Sequence, residues 1–213
     1  TWLYSSPEVL FRGQTKAQDW PLVPLVGRNP RRSQCLRREV EILEEFKRES
    51  VPYLDFIPTT DWQWLALAQH NGLPTRLLDW STNPLAGLWF AVKDCAIDSQ
   101  PGVVWAYSYQ ESQAVYATAD RPSPFSVGES NVYFPEHLYP FIGAQAGAFT
   151  VHHKVADPPS FPPFEASIKD ADLLLTKIEI PADVFSSMRH HLFRLNITPA
   201  SMCWRSLRRG NML

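Results

Sequence analysis

Arg12 is the first residue whose type and neighbours suit chemistry, because it lies in the sequence Phe11-Arg12-Gly13-Gln14. The forked guanidinium of an arginine beside a side-chain amide is well suited to bind a phosphate or carboxylate. Gly13 has no side chain, so the backbone can approach a ligand there. A second interpretation is also open, in which Arg12 forms an internal ion pair, with Asp79 as the obvious partner.

A second group of charged residues lies in the strand predicted over Thr75–Trp80. Arg76 and Asp79 are three positions apart, and the residues between and after them are apolar: Leu77, Leu78 and Trp80. Because side chains alternate between the faces of a strand, the two charged side chains face opposite sides. At least one of them is therefore predicted to be nearly buried or to lie in a cleft.

The next four residues, Ser81-Thr82-Asn83-Pro84, predict the start of a helix. Proline suits the first helical position, since its missing N–H is one that would be unpaired there, and Ser, Thr or Asn can cap the others. An apolar helix is predicted from Leu85 to Val92. The joint between this strand and this helix is the predicted functional site.

His70 lies just before this segment, at the predicted end of another helix. Thr60 and Gln63 have the spacing of a capping box at its start, and Asn71-Gly72 is a typical end. The helix dipole favours a charged imidazole at that end. His70 either caps the last carbonyl groups or acts in the site as a general acid, a general base or a ligand contact.

The remaining pattern predicts the elements that must position these residues. A Glu-rich helix is predicted over residues 31–49, where Glu39 and Glu41 are either solvated or supply a carboxylate to the site. Residues 108–130 are predicted to be a surface excursion. Further strands are predicted around residues 9–13, 102–107, 131–134, 148–153 and 173–180, with a last helix over residues 184–195. This order predicts an α+β fold with a mixed or antiparallel central sheet flanked by helices.

Composition limits the classes of protein. A chain of 213 residues suits a single domain over residues 1–213. Because the chain starts at Thr1 and not at Met, we expect that this domain was excised from a longer protein. The net charge of −2 argues against a general nucleic-acid binder, although five arginines cluster between Arg28 and Arg38. Three separated cysteines predict a reduced, cytoplasmic protein. No apolar run predicts a membrane span, and no His or Cys spacing predicts a metal site.

The two motifs together resemble a known family. The segment AQHNGLPTRLLDWSTNPLAGLWFAV, residues 68–92, with Phe-Arg-Gly-Gln upstream, resembles the FRG domain, which is named for that tripeptide. The motifs come in the expected order, with a Glu-rich helix between them. A looser match extends through Gln145–Phe149 to Thr198, and the sequence departs from the family pattern at Cys203–Leu207.

The layout is also similar to that of ADP-ribosyltransferases of the Arg–Ser–Glu type. The resemblance implies that Arg12 binds the phosphate or ribose of NAD and that Ser81 or Thr82 braces the nicotinamide site. No clear Glu matches the third motif, and Gln145 is the nearest candidate. The implied catalytic residues are Arg12, Ser81, Gln145 and His70, and the implied cofactor-binding residues are Arg12, Gly13, Gln14, Arg76, Asp79 and Thr82.

These resemblances imply an NAD-binding, ADP-ribosyltransferase-like or NAD-cleaving domain, as in a bacterial or phage toxin or antiviral effector, with a protein or nucleic-acid acceptor. The alternative is a catalytically inert module that recognises a nucleotide or protein through the same pocket. Four tryptophans either line that pocket or belong to the core: Trp62, Trp64, Trp80 and Trp89. A third hypothesis is nucleic-acid targeting through the arginine cluster.

Overall fold

The structure is a computed structural model, and it describes residues 8–15, 21–28, 37–94, 100–109, 114–116, 123–135, 147–155, 160–168 and 174–202. The predicted strand–helix joint lies within these ranges. Gln145 and the segment Cys203–Leu207 lie outside them.

The fold is built on one sheet of seven strands in the order β4-β5-β6-β2-β1-β3-β7. The strands are β1 (Glu8–Gln14), β2 (Leu77–Ser81), β3 (Gly102–Tyr109), β4 (Ala114–Tyr116), β5 (Asn131–Phe134), β6 (Gly147–Val151) and β7 (Leu175–Ile180). All neighbouring strands are antiparallel except β4 and β5, which are parallel. The predicted α+β class with a mixed sheet is confirmed.

Six helices are described: α1 (Glu39–Ser50), α2 (Asp61–His70), α3 (Pro84–Val92), α4 (Phe164–Ser167), α5 (Phe185–Arg194) and α6 (Pro199–Met202). Helices α3 and α5 share an apolar core with one face of β1 and β3. On the opposite face, side chains from residues 21–28 and from α4 complete a second core. No helix in the described ranges has the length and apolar character needed to cross a membrane.

The helix starts are those that the sequence predicts. The Asn83 side chain accepts a hydrogen bond from the Leu85 N–H at 2.9 Å, with Pro84 as the first helical residue. The Thr60 side chain likewise accepts from the Gln63 N–H. Gly72, with a positive φ of 85°, follows the end of α2. These local signals are reliable because each depends only on residues a few positions apart.

Several predicted boundaries differ from the structure. Residues 114–116 form β4, which pairs with β5, so the prediction of a surface excursion over residues 108–130 was wrong there. A three-residue strand is too short to produce a recognisable alternation. β2 begins at Leu77 and not at Thr75.

Gly13 packs closely against helix α3. A Cβ atom at this position would lie 1.9 Å from the Gly87 carbonyl oxygen and 2.5 Å from the Ala91 nitrogen, both in α3. The space that the missing side chain leaves is therefore filled by the helix, which packs directly on the β1 backbone. The assignment of Gly13 to ligand binding stays a prediction.

We expect Gly13→Ala to lower the free energy of unfolding by about 3 kcal/mol, because the new methyl group must push α3 away from β1. Urea unfolding of the purified protein measures this change. Gly128→Ala is the matched control, since nothing lies within 4 Å of a Cβ atom there. Equal stabilities of the two variants would contradict the proposed contact.

Candidate functional site

The candidate site lies where β1 and β2 separate. These strands pair at one position, Phe11 with Ser81, whereas β1 pairs with β3 along its whole length. Beyond Phe11 the facing edge of β2 needs other hydrogen-bond partners. The Arg12 Nη1 supplies one, donating to the backbone carbonyl of Asp79 at 2.5 Å. Arg12 therefore bridges the open part of the seam.

The Arg12 guanidinium is largely enclosed, with its side chain 14% exposed. Burial lowers the pKa of Arg12 to about 10; the Asp79 carboxylate opposes this shift and the charge of Arg28 adds to it. The nearest contact with the Asp79 carboxylate is 3.8 Å, too long for a hydrogen bond. The Arg12 Nε is buried and has no hydrogen-bond partner among the described residues. An internal ion pair thus accounts for only part of this side chain.

Asp79 is oriented by a short relay of polar side chains. The Gln69 Nε2 donates to the Asp79 Oδ2 at 2.9 Å, and the Thr75 hydroxyl donates to the Gln69 Oε1 at 2.6 Å. Asp79 itself is open to solvent, with its side chain 60% exposed. The carboxylate therefore lies beside Arg12 but is hydrogen-bonded to Gln69.

Gln14 adds a second buried donor on the same face of β1, two residues beyond Arg12. It is 3% exposed, and its Oε1 accepts a hydrogen bond from the Trp105 Nε1 at 2.9 Å. Its Nε2 has no hydrogen-bond partner in the part of the chain that the structure describes. The Arg12 Nε and the Gln14 Nε2 are both shielded from water, and a buried donor lowers the stability of the fold unless an acceptor is supplied.

Arg28 is a site residue that the sequence reasoning missed. It is exposed overall, and its Nε donates to the Val23 carbonyl at 2.6 Å. Partial burial of its guanidinium lowers its pKa, while the Asp79 carboxylate opposes the shift. The charge of the Asp79 carboxylate thus acts on both guanidinium groups. The cluster of arginines in the sequence was the available signal, but it did not indicate that Arg28 approaches Arg12.

Arg76 confirms that one of the two charged residues near β2 is buried, at 1% exposure. It donates to both carboxylate oxygens of Glu39, at 2.8 and 2.7 Å, and to the Pro124 carbonyl at 3.1 Å. Its guanidinium also lies over the rings of Phe125 and Phe161. Glu39 is therefore neither solvated nor directed at Arg12, because it neutralises Arg76. These contacts account for Arg76 without a ligand, and its role in cofactor binding stays a prediction.

The register separates Ser81 from Arg12. Ser81 lies opposite Phe11, whose Cβ faces α3, so the adjacent Arg12 side chain lies on the other face of the sheet. The Ser81 hydroxyl accepts a hydrogen bond from the Asn83 N–H at 3.0 Å, at the entry to α3. Thr82 follows and is exposed. The structure therefore brings Arg12 close to Asp79, and it places the Ser81 hydroxyl at the start of α3.

Two histidines lie in different environments. His70 is half-buried at the end of α2, next to Gln69, and its role stays a prediction. His152 is 1% exposed, and its Nε2 lies 2.8 Å from the Thr150 hydroxyl. Burial and the charges of Arg12 and Arg76 lower the pKa of His152 to about 3. Its imidazole is therefore neutral at physiological pH. Within the described residues, no group of three His, Cys, Asp or Glu could hold a metal.

The four tryptophans proposed to line a pocket are core residues, each at most 7% exposed: Trp62, Trp64, Trp80 and Trp89. Trp105, which was not singled out from the sequence, is half-buried beside Gln14.

This architecture is that of an α+β domain with a basic, partly enclosed site at the seam of its sheet. Residues 7–99 match the family model of the FRG domain, which confirms the predicted resemblance over this part of the chain. The matched span contains both motifs and runs from β1 through α3, so Arg12, Gln14, Arg28 and Asp79 belong to it. No curated protein and no solved structure matches the chain.

We expect Glu39→Ala to lower the free energy of unfolding by about 3–5 kcal/mol, because it leaves Arg76 buried without a counter-charge. Glu41→Ala removes the same charge from an exposed pair with Arg38 and is expected to cost less than about 1 kcal/mol. Chemical unfolding of both variants measures the difference. Equal losses of stability in the two variants would contradict a stabilising role for the buried Glu39–Arg76 ion pair.

We expect His152 to make the free energy of unfolding depend on pH. Its pKa is lowered from 6.5 to about 3 on folding, so the unfolded chain binds the proton more readily. The contribution of neutral His152 is fully present above pH 6.5 and is lost as the pH falls towards 3. Between pH 6.5 and 5 the wild type should lose about 2 kcal/mol more than His152→Gln. Parallel urea titrations at the two pH values measure this; identical losses would contradict the assignment.

Proposed function

We propose that this FRG domain binds a nucleotide through its phosphate at Arg12, and that NAD is the ligand. The observation that supports this most directly is a pair of buried donors, the Arg12 Nε and the Gln14 Nε2, that have no hydrogen-bond partner among the described residues. Both are on the same face of β1, two residues apart. An anionic oxygen between or beside them would satisfy both groups.

The charges near Arg12 favour an anion. Arg12 and Arg28 each have a lowered pKa, which means that their surroundings disfavour the charged form of both side chains. A phosphate would relieve this penalty. Hydrogen bonds to charged groups contribute roughly 1.5–3 kcal/mol, about twice as much as neutral ones. Arg28 is therefore a second phosphate contact in this proposal.

NAD is proposed because of the resemblance to ADP-ribosyltransferases. In the proposed reaction the bond between the ribose C1′ and the nicotinamide nitrogen breaks, and its electron pair leaves with nicotinamide. The ribosyl carbon passes through an oxocarbenium-like state and then bonds to water or to a protein or nucleic-acid acceptor. A carboxylate stabilises such a positive charge. Asp79 is the candidate, since Glu39 is bound to Arg76, and Gln145 stays a prediction.

The alternative function is recognition of a nucleotide without cleavage. The Ser81 hydroxyl favours it, because this group accepts a hydrogen bond from the Asn83 N–H at the start of α3. A serine engaged in this way braces the start of α3. In this alternative the same phosphate site is used, and the domain acts as a sensor.

We expect Arg12→Ala to weaken NAD binding at least tenfold, since the phosphate loses its charged partner. Calorimetry measures binding, and chromatography of the same samples measures nicotinamide release. Arg38→Ala is the matched control, because Arg38 is exposed and pairs with Glu41 away from Arg12. Unchanged binding in Arg12→Ala would overturn the proposed site.

The two functions are separated by the same samples. Nicotinamide release that is lost in Arg12→Ala and in Asp79→Asn supports cleavage, and binding without release supports a sensor. A toxin or antiviral role, proposed by resemblance alone, would require a fall in cellular NAD in bacteria that express the wild type but not Arg12→Ala.

A further inference from the structure

A row of three side chains crosses the sheet at the level of Arg12. Arg12 of β1 lies opposite Trp105 of β3, and Trp105 lies opposite Lys177 of β7. Residues directly opposite one another in antiparallel strands share a face, with neighbouring strands about 4.8 Å apart. A guanidinium, an indole and an ammonium group therefore stand side by side on one face.

This row follows a row of buried apolar side chains on the same face. The preceding row consists of Leu10, Tyr107 and Leu175, all buried. Trp105 is half-buried, and it packs against the edge of this core. The sheet therefore offers an aromatic ring beside Arg12 that the core does not fully cover.

The indole of Trp105 is held in a fixed orientation. Its Nε1 donates to the Oε1 of Gln14, and Gln14 is only 3% exposed. Because this hydrogen bond anchors the polar edge of the ring, little conformational entropy remains to be lost when a ligand contacts it. The other amide atom of Gln14, Nε2, is buried and has no hydrogen-bond partner among the described residues. Gln14 therefore anchors the ring and also offers a donor to a ligand at Arg12.

Lys177 lies at the outer side of the ring. Its Nζ is 5.9 Å from the centre of a Trp105 ring and 2.9 Å from the Glu179 carboxylate. Lys177 makes both contacts in one conformation, so a ligand that stacks on this side of the ring must displace the ammonium group, which can keep its ion pair with Glu179. Lys177 also adds a positive charge on the side of Trp105 away from Arg12.

We propose that Trp105 is the stacking platform for the base of a nucleotide whose phosphate binds at Arg12. The inference rests on the proposed phosphate site and specifies its ligand class, a nucleotide with a planar base and not a simple phosphate. One strand spacing separates the two contacts, which a single nucleotide can span. Stacking on an indole tolerates every base, so the platform selects for a base without reading its identity.

The test compares ligands with and without a base. ADP and inorganic pyrophosphate share the diphosphate group, and calorimetry measures the affinity of each for the wild type, Trp105→Phe and Trp105→Leu. We expect Trp105→Leu to weaken ADP binding roughly tenfold and to leave pyrophosphate binding unchanged. Trp105→Phe, which keeps an aromatic ring, should retain ADP binding within about threefold. Tyr53→Leu is the control, since Tyr53 is a 78% exposed aromatic residue in another part of the fold.

The outcomes distinguish this inference from the proposed function. Loss of pyrophosphate binding in Arg12→Ala supports the phosphate site whatever the Trp105 variants do. An equal effect of Trp105→Leu on both ligands, or no effect on either, would overturn the platform. If either variant fails to fold, the comparison of the two ligands in the wild type tests the platform. ADP that binds the wild type no more tightly than pyrophosphate excludes a contribution from the base. Binding of neither ligand would overturn both proposals.

Discussion

The sheet depends on the single backbone pairing of Phe11 with Ser81. It joins β1, β3 and β7 to the other four strands, and beyond it the two edges separate. Two further interactions stabilise the junction. Helix α3 follows β2 directly and packs on β1, at a distance that only glycine at position 13 permits. Arg12 then bonds to the backbone of β2 in the open part. A seam held in this way leaves backbone and side-chain polar groups for a ligand without losing the sheet.

Arg76 and Arg12 show how burial is managed for structure and for binding. Arg76 has a carboxylate with two hydrogen bonds, a backbone carbonyl and two aromatic rings, so its buried charge is compensated within the protein. Arg12 has one backbone acceptor, a carboxylate at 3.8 Å and a buried Nε without a described partner. The full compensation of the Arg76 charge by Glu39 holds α1 against the sheet. Compensation that is incomplete is typical of a site that awaits an anion.

The sequence predicted those features that depend on neighbours in the chain. The cap at Asn83, the proline start of α3 and the strand containing Arg12 follow from local chemistry, and the FRG motifs indicated the family whose model matches residues 7–99. The ion pair of Arg12 with Asp79 was one of the open interpretations, but most features that depend on register and distant contacts were missed. Nothing near Glu39 indicated that it would be buried against a residue 37 positions away. The faces of Arg12 and Ser81 follow from one pairing that no local pattern specifies, and Arg28 and Trp105 reach the site from elements distant in sequence.

The same seam has a consequence for the order in which the protein assembles during synthesis. Gln14 pairs with Val103 and Glu8 with Tyr109, which are 89 and 101 positions apart in the chain. At a translation rate of about 5–20 residues per second, β1 waits roughly 5–20 s for its main partner to be made. Few of the sheet's pairings are between strands close in sequence, so little of it can form as hairpins. High contact order of this kind makes folding slow, and the FRG motif at the beginning of the chain acquires its environment late.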